Sequence, residues 1–327
     1  MKKFKKLDKK FLVVFMLLLV IISSCSDDFI DVDPTEENSE DFFNTEADYQ
    51  NALIGAYDML QSSFMNVLLG EIASDNTLCG GESATDVPGF QQIDDMIHTP
   101  VNSQLRDIWS WMFAGVNRAN YILEFQDKLD FEGKEIVLGQ ARFLRAYYYF
   151  ELVKWFGDVP LVVDQRILFG QQFEVDRTPK AEVYQQIEQD LIYATSVLPL
   201  VQADLGRVTK GAAQSLLGKV YLYQDKFSEA SNALENVINS GQYQLLTDDY
   251  VNMFENDYEN NIESVFEVQY TDVQGAGFGC FQCSEGNIAV GFNGIRNYSV
   301  EPGSVGDIFD SGFSFNVPTQ ETYDLFD

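Results

Sequence analysis

The sequence predicts a mainly α-helical fold, a tetratricopeptide-like helical-repeat scaffold with long loops and a little β structure. Three observations carry this reading. Apolar residues recur at helical spacing through much of the span from Thr45 to Gly241, the chain resembles itself at a shift of 72 residues, and the later copy holds a tetratricopeptide signature. With 327 residues, 46% of them hydrophobic, there is apolar material for one large or two ordinary domains, which excludes general disorder. The 51 acidic and 21 basic residues leave a formal charge of -30. Such a surface repels phosphate backbones and anionic headgroups, and with no clustered basic face the chain is not a nucleic-acid binder.

The N-terminus reads as a secretory leader. Lys2, Lys3, Lys5, Lys6, Lys9 and Lys10 precede an apolar run from Phe11 to Ile22, too short for the roughly 20 residues a spanning helix needs. The run ends in Ile22-Ser23-Ser24-Cys25, which resembles a lipobox, so residues 1–24 are a lipoprotein signal peptide and Cys25 is the lipid attachment site. The alternative is a plain signal peptide with an incidental cysteine. Removing residues 1–24 leaves 303 residues with 15 basic and 50 acidic side chains, a charge of -35. Membrane attachment must then come from the lipid anchor only. Residues 25–44, with Asp27, Asp28, Asp31, Asp33, Glu36, Glu37 and Glu40, form an acidic tether.

The helical domain occupies residues 45–327, with its repeat-like helix pairs at about 104–240. Thr45 opens the first helix with Asp48 at the capping-box position, and Tyr49, Leu53, Ala56, Tyr57 and Leu60 form its stripe. The span from Gly70 to Pro100 is turn-rich, and a loop of that length usually carries function or is disordered. From Ser103, the positions Leu105, Ile108, Trp109, Met112, Val116 and Ala119, with Ile122 or Leu123, predict a core helix. The next, Lys134 to Phe156, is apolar nearly all round and must be packed on both sides. Its tyrosines Tyr147, Tyr148 and Tyr149 read as buried packing with hydrogen-bonded hydroxyls. Thr178 as N-cap and Pro179 as first helical residue open a helix to Leu198, and another spans Thr209 to Gln224. Ser228 is predicted to cap the next helix, with Ala230, Leu234, Val237 and Ile238 inward and Gly241 at its close. Ile262 to Tyr270 alternates like a strand, and no helical pattern resumes before Asp327.

In the repeat, Gly139 aligns with Gly211, Ala141 with Ala213, Leu144 with Leu216, Ala146 with Gly218 and Tyr149 with Tyr221. Leu217, Gly218 and Tyr221 reproduce L-G-x-x-Y, and Ala230 falls where the partner helix needs a small residue. In the earlier copy Arg145 stands in place of the leucine, and an insertion containing Gly157-Asp158-Val159-Pro160 delays the partner helix. Helical repeats of this kind are a binding architecture and do not name a ligand.

Catalytic and metal chemistry have little support. His98 is the only histidine, and neither G-x-S-x-G nor H-E-x-x-H occurs. Cys280 and Cys283 form a single C-x-x-C among glycines, a weak zinc signal that reads as a local disulfide or free thiols. No metal site, catalytic residue or cofactor is predicted, although a pair of carboxylates acting as a glycosidase stays open on sequence grounds.

Several segments together resemble the SusD/RagB family of outer-membrane nutrient-binding lipoproteins. They are Cys25-Ser26-Asp27-Asp28-Phe29, Ala52-Leu53-Ile54-Gly55-Ala56-Tyr57, Arg118-Ala119-Asn120, Arg142-Phe143-Leu144-Arg145-Ala146-Tyr147-Tyr148-Tyr149-Phe150, Trp155-Phe156-Gly157-Asp158-Val159-Pro160, Arg177-Thr178-Pro179 and Gly206-Arg207-Val208-Thr209. The resemblance implies a SusD-like fold and a non-enzymatic cell-surface role in Bacteroidetes-type bacteria. Its members bind an oligosaccharide, or in some branches a peptide, and pass it to a SusC-like TonB-dependent outer-membrane transporter. It also implies that the chain, which ends seven residues after a family-like Pro318-Thr319-Gln320, is incomplete at the C-terminus. The acidic residues after Cys25 resemble an export signal to the outer leaflet, facing the extracellular side. The alternatives are a tetratricopeptide-like protein–protein adaptor and the carboxylate-pair glycosidase.

Sugar binding needs aromatic faces with amide, carboxylate and guanidinium groups around them. Two loops offer that mixture. Asp75, Asn76, Phe90 and His98 are the ligand-binding candidates in the first, and Phe278, Phe281, Asn293 and Arg296 those in the second.

Overall fold

The computed structural model describes residues 41–168, 175–247, 250–271, 288–299, 303 and 311–326. Cys25, the signal peptide, most of the tether, Phe278, Phe281 and the C-x-x-C lie outside the described residues. The chain divides into Met1–Asn44 and Thr45–Asp327. In the first unit the described residues show an edge-to-face contact of Phe42 and Phe43 with centroids 5.1 Å apart.

The second unit begins with α1 (Glu46–Asp58), continued by a 3-10 turn at Met59–Ser63 and by α2 (Phe64–Ile72). The capping box is present: the Asp48 carboxylate accepts from Thr45 N at 2.7 Å and the Thr45 hydroxyl accepts from Asp48 N at 3.3 Å. Two-residue β1 (Thr77–Leu78) and α3 (Pro88–Asp94) interrupt the long loop. Then come α4 (Ser103–Glu124), α5 (Lys134–Phe156), α6 (Lys180–Val197), α7 (Lys210–Leu222) and α8 (Phe227–Ile238). Short α9 (Ala289–Asn293), β2 (Val317–Pro318) and α10 (Gln320–Tyr323) complete the described elements.

Each helix from α4 to α8 packs on the next, and α1 lies against both α4 and α5. This is a stack of helical hairpins, mainly α as the periodicity predicts, and α5 is sandwiched as its two apolar stripes require. In the tyrosine triplet of α5, Tyr148 and Tyr149 are buried and Tyr147 half-buried, and all three hydroxyls are bonded: Tyr147 donates to Ser63 Oγ at 2.9 Å, Tyr148 to the Ala56 carbonyl at 2.6 Å, and Tyr149 to the Val162 carbonyl at 3.0 Å. The repeat corresponds to hairpins α5–α6 and α7–α8. Gly218 is required by close approach, since a Cβ there would come within 2.7 Å of Leu234.

Arg145, the departure from the repeat, is 3% exposed. Its Nε and Nη2 donate to Asp190 Oδ2 and Oδ1 at 2.8 and 2.7 Å, and Nη1 donates to Asn120 Oδ1 and the Val163 carbonyl, both at 2.8 Å. Asp190 is fully buried, and Arg142 Nη1 lies 3.5 Å from it. One fork of guanidinium thus ties α4, α5, α6 and the insertion. Asn120 adds a bond from Nδ2 to the Val162 carbonyl at 2.8 Å.

Several expectations are corrected. Trp111 is buried in α4 where Trp109 was predicted, while Trp109 is half-buried and lies between Phe113 and Phe156, 4.8 and 5.1 Å away. Thr178 does not cap α6; its N–H donates to the Val159 carbonyl at 3.0 Å, Pro179 takes the N-cap position, and Asp158 Oδ1 accepts from Lys180 N at 2.8 Å. The cap therefore comes from the far side of the insertion. Ser228 lies inside α8, whose N-cap is Lys226, and Ile238 is 73% exposed while Ala233 turns inward. Ile262–Tyr270 forms no strand, since no described segment makes a ladder with it, and its side chains pack singly, as Phe266 does on Phe143. The described β structure is an antiparallel pair that the alternation did not predict, Thr77 opposite Pro318 and Leu78 opposite Val317.

Candidate functional site

The first predicted loop reaches the described end of the second at Arg296, and it also meets the chain around β2 through long-range contacts. Thr319 N donates to the Asn76 carbonyl at 2.9 Å beside the β1–β2 pair, and Gly81 N donates to the Ser314 carbonyl at 2.7 Å. Below them lies a floor of phenylalanine rings. Phe90 and Phe292 sit 5.8 Å apart, Phe90 and Phe315 5.2 Å, and Phe64 stacks on Phe292 at 5.8 Å. Phe90, Phe292 and Phe315 are each 1% exposed. Phe90 is therefore not an open stacking face for a sugar, as the sequence reading had it. It joins α3 to α9 and the segment before β2, and so holds the two loops in register.

Arg296 crosses the junction above this floor. Its Nη1 lies 3.5 Å from Glu82 and its Nη2 3.6 Å from Asp86, with Nε donating to the Phe313 carbonyl at 3.4 Å. Asp86 also accepts from Glu82 N at 2.8 Å, which closes the turn that carries both acids. Nearby, Asn316 Nδ2 donates to Asn293 Oδ1 at 2.8 Å, and Asn316 Oδ1 is buried with no protein partner. Arg296 thus lies with Glu82 and Asp86, while Asn293 pairs with Asn316. The Asp75 and Asn76 side chains are exposed at the β1 edge, and His98 is exposed in the loop after α3. Asn316 was missed because nothing local distinguishes it; its role depends on a partner 23 positions away.

One thiol and one carboxyl of the first loop have shifted proton affinities. Burial, followed by Asp94, Asp86 and Asp95, pushes the Cys79 thiol up to about 12. A thiol raised in this way is protonated at neutral pH, and the thiolate is the nucleophilic form. Burial first, opposed by the Cys79 backbone hydrogen bond, raises Asp94 above the ordinary carboxylate value, with Asp95 adding to the rise. Among the described residues no cluster of three His, Cys, Asp or Glu side chains is placed to hold a metal ion. Cavities of about 470 and 370 Å³ are lined by other parts of the chain. The second contains Glu255, Glu259, Glu263 and Glu267, of which Glu263 accepts from Leu246 N and Glu267 from Asn260 N.

A family model described as "Starch-binding associating with outer membrane" and designated SusD-like matches residues 28–222, more than half of the chain. The chain belongs to the SusD-like family. SusD-like protein P2 of Formosa agariphila is 28% identical across 98% of this chain and 62% of its own length. The structure of a laminarin-binding SusD-like protein superposes with a TM-score of 0.78 at 31% identity, covering 87% of this chain and 64% of that one. Surface glycan-binding protein A of Bacteroides thetaiotaomicron, solved with laminarihexaose, gives a TM-score of 0.74 at 25% identity over 87% of this chain and 61% of its own. This SusD-like chain therefore spans less than two thirds of the length of these relatives. The SusD-like helical scaffold is the fold the sequence predicts. No helix among the described residues is long and apolar enough to cross a membrane.

Proposed function

We propose that this SusD-like chain is a non-enzymatic cell-surface lipoprotein that captures an oligosaccharide and passes it to a SusC-like TonB-dependent outer-membrane transporter. The observation that carries the reading is the convergence of Glu82, Asp86 and Arg296 from two distant loops whose phenylalanine rings pack together. The ion-pair distances of 3.5 and 3.6 Å leave the guanidinium and both carboxylates able to exchange partners for sugar hydroxyls. Two of the neighbours are glycan binders by name, one of them solved with laminarihexaose, which supports the same ligand class. Lipid attachment at Cys25, after cleavage of residues 1–24, supplies the anchor, with the chain on the extracellular side.

The test is isothermal titration of the purified chain with laminarihexaose. Saturable binding that falls at least tenfold in Arg296→Ala is the expected result; no binding, or binding indifferent to Arg296, sinks the reading of this site. Co-purification of a TonB-dependent barrel from detergent-solubilised outer membrane tests the partner. Release of the Cys25→Ala protein from the membrane fraction tests the anchor.

A further inference from the structure

Charge is unevenly spread along the chain. Beyond residue 24, the span 106–226 holds 14 of the 15 basic residues beside 16 acidic ones and is close to neutral. The flanks, 25–105 and 227–327, hold 34 acidic residues and a single Lys or Arg, which is Arg296. Both loops of the candidate site come from these flanks. The junction where they meet is therefore acidic by composition, and such an imbalance of sign bears on what can bind there.

The one guanidinium is already neutralised. Glu82 and Asp86 flank it at 3.5 and 3.6 Å, so the trio carries a net negative charge. Asp86 is held in place by accepting from Glu82 N at 2.8 Å, and Arg296 N donates to Ser314 Oγ at 2.7 Å. Glu82 is 73% exposed and stands out in water, while Asp86, at 23%, lies deeper. Two titratable groups of the same loop sense the surplus. After burial, Asp94, Asp86 and Asp95 each add to the rise of the Cys79 thiol, and Asp95 adds to that of Asp94.

An uncharged sugar can join this trio at little electrostatic cost. Its hydroxyls donate to the carboxylates and accept from the guanidinium, and no charge is left without a partner. A uronate or a sulfate ester has to take Arg296 from one of its carboxylates, which strands that carboxylate, and it approaches against the field of Asp94 and Asp95 as well. We infer that the junction selects oligosaccharides by charge, admitting uncharged ones and rejecting those that carry carboxylate or sulfate, with Glu82 and Asp86 setting the selection. This selection rests on the glycan reading of the same junction.

The experiment titrates the full chain, in nonionic detergent with EDTA, with laminarihexaose, with laminarihexaose oxidised at C6 to its glucuronate form, and with the methyl ester of that acid. The ester keeps the added bulk without the charge, and EDTA prevents a metal ion from bridging carboxylates. At about 20 mM salt the ester is expected to bind at least tenfold more tightly than the acid, and the gap is expected to narrow at about 500 mM, where salt screens the charges. Equal binding of acid and ester, binding of neither, or a gap indifferent to salt overturns the selection. Glu82→Gln together with Asp86→Asn is expected to raise affinity for the acid at least tenfold. Should that double variant fail to fold, Glu82→Gln alone, at an exposed position, is expected to raise it at least threefold; no gain overturns the role given to these carboxylates. If laminarihexaose binds the wild type and the acid binds equally well, the selection falls alone. If laminarihexaose does not bind, the glycan reading falls and the selection with it.

Discussion

Arg145 and Arg296 both face carboxylates, and the contrast between them separates scaffold from site. Arg145 is buried, forks onto Asp190 at 2.7 and 2.8 Å, and spends its remaining donor on Asn120 and the Val163 carbonyl. Arg296 reaches Glu82 and Asp86 only at 3.5 and 3.6 Å, and Glu82 is 73% exposed. The first arrangement commits four of its five N–H donors within the protein and cannot be disturbed without stranding a charge. The second holds two loops together with contacts weak enough to be traded. Ion pairs of one chemistry thus serve opposite ends, according to burial and geometry.

The sharpest way to break the comparison is Arg145→Ala, which leaves buried Asp190 with only the longer contact to Arg142 at 3.5 Å. A loss of about 3–5 kcal/mol is expected, read from urea unfolding. Replacing both Arg145 and Asp190 by leucine, as the second repeat has at Leu217, should recover most of that loss, since buried pairs often exchange for apolar packing near neutrality. If the double variant is as unstable as Arg145→Ala, the fork is needed for more than charge balance.

Next in size is an alkaline transition of the α5 region. Burial raises Tyr57, Tyr147 and, most of all, Tyr148 above the ordinary phenol value. The unfolded chain therefore gives up these protons first. The stability from neutral phenols is complete below a pH of about 10 and is lost as pH rises beyond it. Phenolate absorbance should appear together with loss of helix; ionisation of these tyrosines in the folded chain would contradict their packing.

Arg296→Ala should cost less than about 1 kcal/mol, because its pairs are partly exposed. A stability loss like that of Arg145→Ala would make it a scaffold residue and collapse the contrast. The smallest effect concerns Asp94, whose raised value means the folded chain holds its proton more tightly than the unfolded one. Its contribution therefore falls as pH rises through the window above about 3.9. Asp94→Asn should be slightly stabilising at neutral pH, with the difference shrinking below pH ~4, as thermal melts across pH would show.

Much of the helical scaffold was legible in the sequence. The bounds of α5 and the burial of its tyrosines follow from apolar periodicity, and the Thr45 capping box from two residues three apart. What was not legible depends on partners far along the chain. Arg145 stood out only as a misfit in a repeat, since nothing local points to Asp190, 45 positions on. Phe90 read as an available ring because its burial is supplied by Phe292 and Phe315. The cap of α6 was misplaced for the same reason: a Thr-Pro pair is a good local signal, but Asp158 reaches the first free amide from 22 residues upstream.

That last contact has a consequence for the insertion between α5 and α6. Its two ends are pinned together by the Val159–Thr178 bridge and the Asp158 cap, while Asn117 exchanges hydrogen bonds with Ile167 at 2.6 and 3.1 Å. Before Ile167 the insertion is also tied to α4 and α5, since Val162 and Val163 accept from Asn120, Tyr149 and Arg145. Closing such a loop costs free energy that grows only with the logarithm of its length. Chain lying between Ile167 and Thr178 can therefore lengthen or change sequence while α5 and α6 keep their register, which makes this clasp a natural place for a repeat scaffold to acquire new surface.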